Sequence, residues 1–318
     1  MLIASKHGYY DAMETLLDNG AVVNYNDQSE ASKALAYLTI HPLNSAIENN
    51  HTDCVELLLK RGCDPNQKYF LGNEINLVPL EHIECLEMLL KYGADPNAVS
   101  RGGLTALMKA FAITEGRADV CLLLLDHGAN PNEIDTEGVS LLQIACATSA
   151  LPNQYTIIEM LLNHSANPNY FGAYPSLAGP TLTPLVEYFT NNDTIDFSLV
   201  KLLVKYGSGV NITQPTRLFK ILDAQGLLPQ IRKLRPYEEI FHFLINVAQK
   251  FDLRAIKVES SLSNGQKETL LVRASHPTSL KHQSRLLIRK TLCLPVLKSL
   301  RLLPLPKYLV NFLEFEAD

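Results

Sequence analysis

Gly62-Cys63-Asp64-Pro65-Asn66 follows the apolar run Cys54-Val55-Glu56-Leu57-Leu58-Leu59-Lys60-Arg61, and the same phrase returns along the chain. It is rewritten as Gly20-Ala21-Val22-Val23-Asn24, Gly93-Ala94-Asp95-Pro96-Asn97 and Gly128-Ala129-Asn130-Pro131-Asn132. Ser165-Ala166-Asn167-Pro168-Asn169 and Gly207-Ser208-Gly209-Val210-Asn211 continue it. The closing asparagines lie 42, 31, 35, 37 and 42 residues apart, a period that belongs to stacked supersecondary units.

The unit can be assembled from local physics. The apolar run before each phrase has helical spacing, and the glycine after it can take the left-handed backbone conformation that stops a helix. A shorter helix comes first. In the sixth unit Thr183-Pro184-Leu185 offers an N-cap hydroxyl, a proline at the first helical position and a core leucine. His41-Pro42-Leu43 and Thr105-Ala106-Leu107 are variants of that start. Two short antiparallel helices leave one apolar face uncovered, so each unit must stack on its neighbours.

This arrangement resembles the ankyrin repeat, carried in the second unit by Leu43, Ala46, Asn49, His51, Val55, Leu57, Leu58, Gly62, Asp64 and Asn66. The pattern thins in the third unit, where Gly72 to His82 is too short for a full first helix, and in the fifth, where Ser165 stands in the glycine position. Aligned backwards from Gly20, the first unit places Met1 at the core leucine, so the expectation is an array that starts inside a repeat. After Asn211 the phrase fades, and residues 212–257 are expected to form divergent capping helices around Leu218, Phe219, Ile240, Phe241 and Leu244.

Composition sets the limits. The 318 residues are 47% hydrophobic and 19% charged, enough to bury a core. A formal charge of −5 speaks against a dedicated nucleic-acid binder. Charge is uneven, since residues 273–318 carry eight Lys/Arg against three Asp/Glu, which is expected to be a solvated helix face. The six cysteines include no CxxC pair and no spacing that closes a zinc site. No apolar run approaches the roughly 20 residues of a bilayer span, so the expected location is the cytoplasm, with the nucleus as an additional one, and no membrane partner.

Past Lys257 the composition changes. Residues 258–275, with the turn signal Ser263-Asn264-Gly265, are expected to be a linker, and residues 276–318 a separate module. Pro277-Thr278-Ser279 has the chemistry of a helix start, and Leu280, Ser284, Leu287, Ile288 and Thr291 then share one stripe, with Lys281, Arg285 and Arg289 away from it. Pro295 and Pro306 are each placed to open a further helix. The module is expected to have three short helices around Leu286, Leu292, Val296, Leu297, Leu300, Leu309, Phe312 and Leu313.

Ser279-Leu280-Lys281-His282-Gln283-Ser284-Arg285-Leu286-Leu287-Ile288 resembles the elongin-binding box of a SOCS box, with Ser284 where the family has cysteine. Leu300-Arg301-Leu302-Leu303-Pro304-Leu305-Pro306-Lys307-Tyr308-Leu309 resembles its cullin-5-selecting box. Together with the repeats, the two boxes make the chain similar to the ankyrin repeat and SOCS box family: an all-α ankyrin solenoid over residues 1–211, capping helices, a linker and a three-helix SOCS box.

That resemblance implies the substrate-recognition subunit of a cullin-RING ubiquitin ligase. Its partners would be elongin B/C, cullin-5 with its RING protein, and a protein substrate that the sequence does not name. Ser279, Leu280, Ser284, Leu287 and Ile288 would meet elongin, and Leu303, Pro304, Leu305 and Pro306 would meet cullin-5. Burying a serine hydroxyl in place of a thiol costs about 1.4 kcal/mol, or about tenfold in affinity, unless it bonds back to the Leu280 carbonyl.

No nucleotide loop, GxSxG or HExxH motif occurs, and the expectation is a non-catalytic adaptor without cofactor or metal. The alternative is an ankyrin scaffold whose last helices merely cap the stack. For the substrate surface the candidates are Tyr69, Phe70, Tyr170, Phe171 and Tyr174, aromatics in loops that are usually polar. They could equally pack beneath the long insertions.

Overall fold

The computed structural model of the chain describes residues 1–24, 41–68, 72–112, 117–149, 151–172, 182–214, 224–276, 279–292, 300 and 302–315. The fold is all-α, with two two-residue strands among the described residues, and divides into compact units of residues 1–130 and 131–318.

In the first unit, helix pairs alternate as the phrase predicts. They are α1 (Leu2–His7) with α2 (Tyr10–Asp18), α3 (Pro42–Glu48) with α4 (Thr52–Lys60), α5 (Glu74–Leu77) with α6 (Ile83–Lys91), and α7 (Ala106–Ala112) with α8 (Ala118–Asp126). Leu43, Ala46, Val55 and Leu58 of the second pair are buried, as are Leu107, Ala110, Val120 and Leu124 of the fourth. Alanine recurs where first helices pack closely, because nothing larger fits between the backbones.

The shortened third pair is completed by polar groups. The four-residue α5 is held by a capping box between Asn73 and Asn76. Lys109 of α7 donates to the carbonyls of Asn76 at 3.2 Å and Val78 at 3.0 Å, and burial lowers its pKa from the usual lysine value. His51 and His82 bridge repeats, contacting the carbonyls of Lys6 at 3.1 Å and Ile47 at 2.8 Å.

The asparagine that closes each phrase is a cross-link. Asn66 donates from Nδ2 to the Gly93 carbonyl at 2.9 Å and accepts the Asp95 amide at 2.8 Å. Asn24 does the same toward Gly62 and Asp64, and Asn97 toward Gly128 and Asn130. A carboxamide is the side chain that supplies donor and acceptor together at this reach.

In the second unit α9 (Leu141–Ala147) pairs with α10 (Gln154–Asn163), and α11 (Pro184–Asn191) with α12 (Phe197–Lys205). Asn132 and Asn169 repeat the cross-link, toward Ser165 with Asn167 and toward Gly207 with Gly209. Thr183 occupies the N-cap of α11 with Pro184 behind it, but its hydroxyl donates to the Ala224 carbonyl at 3.2 Å rather than capping the helix. Ser165 adopts the left-handed conformation at φ 77°, doing glycine's work at a steric cost.

Beyond α12 the pattern departs from helix pairs. Strand β1 (Asn211–Ile212) runs parallel to β2 (Lys250–Phe251), and a 3₁₀ helix (Leu228–Leu234) and α13 (Glu238–Val247) lie between them in sequence. Leu218 and Phe219 lie outside the described residues.

The stretch expected as a linker is largely helical. After α14 (Leu253–Val258), α15 spans Asn264–Ser275. Ser263 is its N-cap: its hydroxyl accepts the Gln266 amide at 3.3 Å while the Gln266 carboxamide accepts the Ser263 amide at 3.2 Å. The Ser-Asn-Gly signal therefore starts a helix, because Ser-x-x-Gln is a capping box. Among the described residues two further helices follow, α16 (Leu280–Thr291) and α17 (Lys307–Leu313).

Candidate partner-docking site

Helix α16 begins at Ser279, whose hydroxyl accepts the His282 amide at 3.2 Å. The serine expected to meet a partner thus also starts the helix that presents the others.

The two faces of α16 are inverted relative to a helix packed by its apolar side. Leu280 is 81% exposed, Leu287 63% and Ile288 40%, and Ser284 is exposed between them. Arg285 and Arg289 are buried, at 3% and 8% exposure, as is His282. The expectation of a solvated basic face fails at these two arginines.

Specific geometry makes that burial tolerable. Arg289 donates to the carbonyls of Val204 at 2.5 Å and Lys205 at 3.0 Å, at the end of α12, and to Leu313 at 2.5 Å, at the end of α17. A guanidinium fork placed on carbonyls at two helix C-termini adds donors to the last turns and meets the negative end of both dipoles. Burial brings its pKa down to about 10, partly opposed by Glu314, so it stays cationic near neutrality. Arg285 lies 4.1 Å from the Phe312 ring centroid and 4.6 Å from that of Phe315. Lys205 and Glu314 pair at 2.7 Å across the same junction.

The polar face is therefore the anchored one, and the apolar row stands in solvent. Covering three such side chains would contribute about 5 kcal/mol to an association. A row spaced i, i+4, i+7, i+8 suits one partner groove.

Leu303 and Leu305 lie in a tight connection, with the Leu303 amide on the Leu300 carbonyl at 3.2 Å and the Leu305 amide on the Leu303 carbonyl at 2.7 Å. Pro306 caps α17 at φ −58°, just outside the helix rather than at its first position. Pro304 and Pro306 are exposed, Leu303 is 41% exposed and Leu305 half-buried. Leu302 at 85% and Tyr308 at 69% join this exposed apolar surface and were not singled out by the sequence pattern, although both lie in the string that marks the box. Leu300 and Leu313 form the buried part of the module, with Leu286, Leu292, Leu309 and Phe312 at intermediate exposure. Pro295, Val296 and Leu297 lie outside the described residues.

Of the loop aromatics, Tyr69, Phe70 and Tyr174 lie outside the described residues. Tyr170 is half-buried and its hydroxyl donates to the Gly138 carbonyl at 3.3 Å, while its neighbour Phe171 is 45% exposed. The five cysteines among the described residues are free, and burial raises the thiol pKa of Cys63 and Cys121 to about 12. Among the described residues no group of three or more His, Cys, Asp or Glu is placed to hold a metal ion. None of the described helices is long and apolar enough to cross a membrane.

Comparison with known proteins bears on the two modules. A family model described as ankyrin repeats matches residues 1–69 and 77–171 in three copies, and one described as SOCS box matches residues 276–314. An ankyrin repeat domain from Acinetobacter baumannii AYE, solved by crystallography, is 23% identical over 65% of this chain and 96% of its own, with a TM-score of 0.51. No curated protein matches. Both modules are of the adaptor type, without catalytic residues of their own, and in this order they define one family. The chain belongs to the ankyrin repeat and SOCS box family.

Proposed function

We propose that the chain is the substrate-recognition subunit of an elongin B/C–cullin-5 RING ubiquitin ligase. The observation that supports this reading is the inverted helix α16, anchored by Arg285 and Arg289 with Leu280, Leu287 and Ile288 left in solvent. A helix that only capped the repeats would turn that row inward.

On this reading the chain performs no bond chemistry. Elongin C closes over Leu280, Ser284, Leu287 and Ile288, while cullin-5 meets Leu303, Pro304, Leu305 and Pro306. The anchored face ties both contacts to the last repeat, so a target held by the repeats is kept near the ubiquitin-loading end of the ligase.

The test is recovery of elongin C and cullin-5 with the tagged chain from cells, compared with Leu280→Ala. Because Leu280 is 81% exposed, its truncation should leave the melting temperature unchanged and remove elongin C. Undiminished elongin recovery would sink the reading and favour the scaffold.

A further inference from the structure

Between α15 and the start of α16 lies a polar cavity of about 240 Å³, lined by Asn246, Arg273, Ser279, Lys281, His282 and Arg285. Three permanently cationic side chains arrive from two helices, and no Asp or Glu is among the described lining residues. A convergence of cationic groups favours an anion.

Three features bear on how these charges are held. The Nε of Arg273 is buried and has no hydrogen-bond partner among the described residues, an uncommon state for a guanidinium donor. Arg285 is buried against the rings of Phe312 and Phe315, which positions its charge, and Lys281 lies 5.2 Å from the Phe312 centroid. The cavity also meets the N-terminal end of the 12-residue α16, whose dipole favours negative charge.

We propose that this cavity binds a phosphomonoester. The volume is below the roughly 300 Å³ at which pockets for drug-sized molecules begin, which fits a phosphate group with little of what it is attached to. Two arginines and a lysine match a dianion with three equivalent oxygens better than they match a carboxylate. The site is formed by the face of α16 opposite the apolar row, so it would be occupied whether or not a partner covers Leu280. It does not depend on the ligase reading. The phosphate could be free or carried on a serine of another protein, and the two sources are separable.

The experiment is titration calorimetry on the full chain at constant ionic strength, with inorganic phosphate, a phosphoserine peptide and its unphosphorylated twin as probes. The expected result is one saturable site for inorganic phosphate near about 1 mM. Arg273→Gln should weaken it at least about tenfold and Lys281→Gln several-fold, with Lys290→Gln on the same helix as an unchanged control. Circular dichroism melting identifies a variant that has not folded, and Arg273→Lys, which keeps the charge, should retain part of the affinity. A peptide that binds at least about tenfold tighter than phosphate assigns the ligand to a protein-borne phosphate, and equal affinity assigns it to the free anion. Wild-type affinity in folded Arg273→Gln, or an equal response to chloride, would overturn the proposal.

Discussion

Arg289 and Val204, 85 residues apart in sequence, are joined by a 2.5 Å hydrogen bond from the guanidinium to the carbonyl that ends helix α12. The same side chain also serves the carbonyls of Lys205 and Leu313. One buried cation thus connects the last repeat helix to both described helices of the SOCS box, and the junction is not a flexible tether.

Removing that cation should loosen the module. Arg289→Ala takes the guanidinium from three carbonyls, of which that of Val204 keeps the Gly207 amide at 3.0 Å, at a cost of about 3 kcal/mol. Lysine is not an adequate replacement, because one ammonium does not reproduce a planar fork. The expected outcome is a lower melting temperature for both variants and faster protease cleavage around residues 276–279. Unchanged cleavage in Arg289→Ala would mean that the ion pair of Lys205 with Glu314 and the Phe312 packing hold the box unaided.

Much of the architecture is written in the repeated phrase, since glycine at the helix stop, proline directly before the asparagine and apolar spacing are local signals. What the asparagine does is not local. Asn66 cross-links to Gly93 and Asp95, 27 and 29 residues away, and a sequence pattern does not announce a contact that exists only after stacking. The orientation of α16 was hidden for a related reason. A periodic stripe says that a helix has two faces, not which one packs, and here carbonyls at two helix ends reward burial of the charged face. The helix at residues 264–275 was legible in Ser263 and Gln266, but the Asn-Gly pair between them reads more loudly as a turn.

The fifth repeat carries a removable strain. Ser165 sits at φ 77°, whereas Gly62 and Gly93 hold the equivalent position at φ 86° and 89°. A left-handed non-glycine residue costs about 1 kcal/mol relative to glycine, minus the extra chain entropy glycine brings. Ser165→Gly keeps the carbonyl that accepts Asn132 at 3.0 Å. It should stabilise the second unit by up to about 0.6 kcal/mol in a denaturant titration, and a clear loss of stability would show that the serine hydroxyl has a local partner worth more than the strain.

Within the ligase reading, the two boxes should be separable. Ser284 is exposed in the free chain, so Ser284→Cys should not move the melting temperature, yet it should raise elongin affinity by up to about tenfold as the hydroxyl no longer needs burying. Replacing Leu303 to Pro306 by alanines should remove cullin-5 and keep elongin. Loss of both partners together would point to unfolding of the module, which circular dichroism distinguishes, and retention of cullin-5 would place its contact on Leu302 or Tyr308 instead.

Tyr170 and Phe171 divide the substrate question between neighbouring side chains. The Tyr170 hydroxyl reaches the Gly138 carbonyl at 3.3 Å in the adjoining finger, a long hydrogen bond whose loss in Tyr170→Phe should cost no more than about 1 kcal/mol. Phe171 is 45% exposed, so Phe171→Ala should be nearly silent in stability. An exposed phenylalanine beside an anchored tyrosine on a stacked array has the character of a binding anchor. Proximity labelling with the wild-type chain and with Phe171→Ala tests it. Proteins lost from the labelled set at unchanged melting temperature would place the substrate surface on this finger, whereas an unaltered set would move it to another part of the repeats.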